Sequence, residues 1–174
     1  MKPALALLAA GIGALLLRGV LSGVLPAGLC PDLGLVVVVG VGLQLPGTAG
    51  LLLATVLGGL VDVLTGALLG QHAMLFVMAF GVTRLAASQL DLRRGLPTFV
   101  LVAALSAGHG LAAVALSRLF SGSVPWPGPE RLLVQAGLDA LLALLVLPLL
   151  ARLVQQLSDV DRRAVKLAPR RREA

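Results

Sequence analysis

Apolar residues fall into six runs, divided by short breaks of proline, glycine or charge. The first covers 4–25 and is interrupted by Arg18; Pro26 and Cys30-Pro31-Asp32 end it. The second, 33–45, is short for a membrane span, and Pro46-Gly47 turns the chain after it. The third covers 48–69 and carries Asp62, the fourth 72–88 with Arg84 near its end. The fifth, 96–120, holds His109, and the sixth, 132–157, holds Asp139 and Pro148. The valines Val36 to Val39 would suggest a strand in water, but in lipid only helices and closed barrels satisfy the backbone. Barrel alternation is absent, so the pattern predicts an all-α integral membrane protein, a bundle of about six transmembrane helices.

Composition agrees with this. Hydrophobic residues make up 58% of the 174 positions, charged residues 13%, and the mean hydropathy is +1.00. Soluble domains carry about 25% charge. A span needs about 20 residues, so the length allows about six. The single cysteine, Cys30, excludes an intrachain disulfide and a cysteine-based metal site. Ala27-Gly28-Leu29-Cys30 faintly resembles a lipoprotein cleavage site, but Leu29 is too large before the cysteine. A cleaved signal peptide is not expected either, since five further apolar runs follow the first.

Charge sets the expected orientation. Arg162, Arg163, Lys166, Arg170, Arg171 and Arg172 outnumber Asp159, Asp161 and Glu173 in the tail, which gives half of the net +6. The division is a transmembrane domain over 1–157 and a basic cytoplasmic tail over 158–174. With six spans and the N-terminus inside, Lys2, Arg93, Arg94 and the tail share the cytoplasmic side, as the positive-inside rule requires. Trp126 then lies at the outer interface. The tail would attract anionic lipid. Without aromatic interleaving or a folded module, nucleic acid is not an expected partner. If the second run were re-entrant, five spans would remain and the two ends would face opposite sides.

Charges within the runs need a reason, because each costs at least about 2.5 kcal/mol at a helix centre. Arg18, Asp62 and Asp139 fall at a similar depth, about 10–13 Å beneath the outer surface at 1.5 Å per residue. They are expected to form an intramembrane polar cluster in which Arg18 approaches Asp62 or Asp139. The alternative is that Arg18 snorkels outward while the aspartates bond to backbone. Asp32 is placed at the membrane edge. His72 and His109 lack the spacing and carboxylate support of a metal site. Ser106, His109 and Asp139 could be imagined as a nucleophilic set, but no strand-turn-helix elbow accompanies them. No catalytic, metal or cofactor site is expected.

Gly58, Asp62, Gly66 and Gly70 recur at every fourth position, where small residues let a second helix approach. Gly19 and Gly23 form another such pair, favoured as the surface for a partner helix. The segment 58–73, Gly-Gly-Leu-Val-Asp-Val-Leu-Thr-Gly-Ala-Leu-Leu-Gly-Gln-His-Ala, resembles the MreD family of rod-shape-determining membrane proteins. Gly58, Asp62, Gly66, Gly70 and His72 match the family motif, and Pro31-Asp32 before an apolar run is also similar to it. The turn departs from the family's Ser-Pro, reading Ala67-Leu68 here.

The resemblance implies a non-catalytic subunit of the elongasome that supports peptidoglycan synthesis, cell-wall biogenesis and cell shape in the bacterial inner membrane. It implies an MreC-like single-span partner, in a complex with a RodA-type polymerase, a class B penicillin-binding transpeptidase and the MreB cytoskeleton. It also implies a fold similar to the substrate-binding subunits of energy-coupling-factor transporters. A small-molecule-binding transporter subunit is the alternative. Against it stands the 3% aromatic content without tyrosine, since flat vitamins are gripped by stacking. A lipid-processing enzyme is the third class.

Overall fold

The computed structural model describes residues 2–24, 29–66, 68–91, 95–121 and 128–167. These form six helices: α1 Lys2–Val24, α2 Leu33–Gln44, α3 Gly47–Thr65, α4 Gln71–Gln89, α5 Gly95–Ser121 and α6 Pro129–Leu167. Four of them, α1, α3, α5 and α6, are long and apolar enough to cross a membrane. The fourth helix has 19 residues, but Arg84, Thr83, Ser88 and two glutamines lower its hydropathy. Trp126, Arg93, Arg94 and residues 168–174 lie outside the described residues.

The short second run becomes the centre of the molecule. α2 has 12 residues, about 18 Å at 1.5 Å per residue, against a hydrocarbon core of about 30 Å. Ten of its residues, Leu33 to Gly42, are buried. A helix that is apolar on every side belongs in a core, and that requirement overrides the β preference of its valines. Leu35, Val37, Val38 and Val41 pack with residues of α1, α3 and α4, among them Leu7, Leu57, Phe76 and Phe80. Val36 and Val39 turn the other way, onto Val102, Ala140, Ala143 and Leu147 of α5 and α6.

Chain direction follows from the contacts. A Cβ built on Gly34 would meet Phe76, and one on Gly42 would meet Thr83, so α2 and α4 run the same way. Asp32 bonds Asp139, and Gly40 faces Leu147 and Leu150, so α6 runs with them. Gly58 lies against His72 and Ala73, and Gly50 against Phe80, so α3 is antiparallel to α4. Likewise Ser106 bonds Asp139 while Gly110 faces Leu132, which sets α5 against α6. Arg18 bonds Asp32 and Leu15 faces Gly34, which sets α1 against α2. Direction therefore alternates along the chain. α2 begins at the level of Arg18, where Cys30 and Asp32 meet α1, and it does not turn back.

The last helix is 39 residues long, about 58 Å, so it outreaches the hydrocarbon and continues without a break past Leu157 to Leu167. Pro148 inside it has no N–H for the Leu144 carbonyl.

Candidate functional site

Asp32, Asp62, Ser106 and Asp139, all buried, form one layer with Arg18, His72 and His109, while buried Thr83 and Thr98 lie toward the other end of the bundle. The layer is built from two helix starts, each held by carboxylates. Helix N-termini leave N–H groups without intrahelical acceptors, and in hydrocarbon each such group costs several kcal/mol.

The first start is that of α4. Asp62, near the end of α3 and fully buried at its side chain, reaches across the turn. Its Oδ2 accepts the N–H groups of Gly70 at 2.9 Å and Ala73 at 3.3 Å. Its Oδ1 accepts the N–H of His72 at 2.9 Å and lies 2.8 Å from the His72 ring Nδ1. The carboxylate thus acts as the cap that Gly70 cannot supply, and the partial positive charge of the helix start favours it there. The glycines make this geometry reachable. Gly66 ends α3 with φ +64° and Gly70 precedes α4 with φ +91°, conformations that side chains resist. At Gly58 a Cβ would sit 2.6 Å from the His72 carbonyl oxygen, so only glycine lets the two backbones approach. Ala67, part of the departing turn, lies outside the described residues.

The second start is that of α2. The Asp32 side chain accepts the N–H of Leu35 at 3.2 Å, the usual capping bond. The Asp32 N–H in turn donates to Asp139 Oδ1 at 2.6 Å, and Ser106 Oγ donates to Asp139 Oδ2. Arg18 Nη1 donates to Asp32 Oδ1 at 2.8 Å, with 30% of the arginine side chain and 3% of the aspartate's exposed. His109 Nε2 lies 3.5 Å from Asp32 Oδ2. The His109 ring connects the two halves, with centroids 5.9 Å from His72 and 5.5 Å from Phe76.

Arg18, Asp62 and Asp139 thus belong to one layer, but the ion pair is not made with either expected aspartate. Its acid is Asp32, which is 2% exposed rather than at the membrane edge. Asp62 and Asp139 are occupied by backbone N–H groups, and Asp32 lies inside because α2 begins at the level of Arg18. The sequence signal was present: Asp before an apolar run is a helix-start signature. Sequence reasoning also missed Gln71, whose Nε2 donates to the Ala113 carbonyl at 3.0 Å and to Ser117 Oγ at 3.2 Å, tying α4 to α5.

Ser106, His109 and Asp139 do not assemble as a nucleophilic set. Ser106 bonds Asp139, while the imidazole faces Asp32. Among the described residues no group of histidine, cysteine and carboxylate side chains suits a metal ion. Gly19, next to Arg18, and Gly23 make none of the contacts of this layer; they lie on an exposed stretch of α1, and among the described residues a Cβ on either would meet nothing within 4 Å.

The comparisons with known proteins agree with the motif. The family model described as rod shape-determining protein MreD matches residues 12–157, a span that includes every residue of the polar layer. No curated protein and no solved structure matches the chain.

Proposed function

The chain belongs to the MreD family of rod shape-determining proteins, and from that premise we propose that it is a non-enzymatic subunit of the cell-elongation complex. In this reading it packs against the single transmembrane helix of an MreC-like protein. It holds that helix beside a RodA-type polymerase and a class B penicillin-binding transpeptidase, and so supports peptidoglycan synthesis. The chain sits in the bacterial inner membrane with both termini in the cytoplasm and the basic tail over 158–174 against anionic lipid.

The observation that carries the partner surface is the vacancy at Gly19 and Gly23. The buried polar groups serve the fold: Asp62, Asp32 and Asp139 each accept backbone N–H groups. Gly58 serves the α3–α4 crossing. Gly19 and Gly23 touch no other helix. They share a face with Leu16 and Val20, which are 61% and 67% exposed. Small residues flanked by apolar ones are what a second helix needs for close approach in lipid, where packing drives association.

The test is co-purification. Gly19→Leu with Gly23→Leu should sharply reduce recovery of the MreC-like partner in mild detergent, while the variant stays folded and inserted. Undiminished recovery would reject this surface.

A further inference from the structure

At the end of the bundle away from the polar layer, a cleft of about 690 Å³ opens between the last turns of α2 and α4, the first turn of α5 and the middle of α6. That volume falls within the usual 300–1,000 Å³ of small-ligand sites. Its lining has a direction. Leu43, Ala143, Leu144 and Leu147 line it together with the buried Thr98, while Gln44 and Gln155 stand toward the end where α2 stops. Along α6 the cleft extends from Ala143 to Gln155, twelve residues or about 18 Å. One leaflet of a bilayer has about 15 Å of hydrocarbon, half of the 30 Å core. The cleft is therefore about as long as a leaflet is thick, with a mostly apolar lining and Gln44, Asp91 and Gln155 among its polar residues.

Two arginines neighbour lining residues toward the polar end, though neither is itself part of the lining. Arg84 Nη1 donates to the Leu45 carbonyl at 3.0 Å, which fixes the guanidinium beside the end of α2 and one turn before the lining residue Ala87. A guanidinium has five N–H donors, so this bond leaves others available. Arg152 is exposed on α6, one turn before Gln155. The acid Asp91 lines the wall formed by α4 and α5.

We propose that this cleft seats an acyl chain of a phospholipid, with its phosphate held at the mouth by Arg84 and Arg152. The length fits a tail lying along the membrane normal. The arginines fit a phosphate, which guanidinium groups bind in bidentate fashion. The site is separate from the Gly19 and Gly23 face, and its occupation does not depend on any protein partner.

The experiment uses the full chain in dodecyl maltoside, titrated separately with phosphatidylethanolamine and phosphatidylglycerol. Bound lipid is counted by native mass spectrometry. The unaltered chain is expected to take up one phospholipid with a saturable rise in thermal midpoint. Ala87→Trp with Ala151→Phe, which fill the cleft, should weaken that uptake at least tenfold. Leu133→Trp, on a 71% exposed position of α6, should leave it unchanged. Equal binding of the two lipids is expected from recognition of their shared phosphate. Should the filled variant fail to fold, Arg152→Gln is read instead, with a loss of at least threefold expected. Equal uptake by the unaltered chain and the variant read, or no saturable uptake by the unaltered chain, overturns the proposal.

Discussion

Asp62 Oδ1 accepts the backbone N–H of His72 at 2.9 Å while lying 2.8 Å from the same residue's ring Nδ1, so one carboxylate oxygen fixes both main chain and side chain of a residue ten positions on. For the ring to donate, its proton must be on Nδ1. The glycines and the aspartate of the family motif are thus parts of one turn between α3 and α4.

Asp62→Ala leaves three N–H groups at the start of α4 without their acceptor. An unsatisfied buried donor costs about 1–3 kcal/mol. The expected loss is about 2–4 kcal/mol, since α4 can relax partly. Asp32→Ala is expected to lose a comparable amount, because it removes both a cap and an ion pair. Thermal midpoints of detergent-purified variants, read by size-exclusion recovery after heating, would check this. A full native midpoint for either variant would contradict the capping roles.

Arg18→Met should cost about 2 kcal/mol. That is less than the 3–5 kcal/mol of a fully buried pair, because the arginine remains partly exposed. The pairing is tested by a double-mutant cycle with Asp32→Asn. The double variant should lose clearly less than the two single losses combined, since the second change no longer strands a charge. Strict additivity would mean that the two side chains are energetically independent.

The glycines divide into two kinds. Gly58→Ala forces a Cβ onto the α4 backbone and should destabilise by about 1–3 kcal/mol, as overpacking does. Gly19→Ala and Gly23→Ala should not lower the midpoint of the isolated protein, as each added methyl enters open space and alanine is the better helix former. A Gly19→Ala loss equal to that of Gly58→Ala would show that α1 has a neighbour there in the folded chain.

Orientation can be tested at two points. A reporter fused after Ala174 is expected to be active on the cytoplasmic side. Glu130→Cys, at the exposed start of α6 and in a Cys30→Ser background, is expected to react with a membrane-impermeant maleimide from outside. Labelling only after the membrane is breached would reverse the assignment.

The six helices were legible because lipid makes apolar run length the main signal. The motif 58–73 was legible because Gly58, Asp62, Gly70 and His72 are close in sequence and in space. The partner of Arg18 was not, because depth fixes a layer and not a neighbour within it. Asp32 read as an edge residue since nothing local says that α2 begins at the level of Arg18. The Gln71 bond to the α5 backbone was hidden for a related reason: the register of α4 against α5 is a property of packing.

The bond from the Asp32 N–H to Asp139 spans 107 positions of sequence, and that separation has a consequence for biosynthesis. A half-length helix whose first turn ends in hydrocarbon cannot rest in lipid by itself, however apolar its sequence. The second helix made is thus completed by the sixth, and a chain truncated before Asp139 leaves the Asp32 N–H without that acceptor.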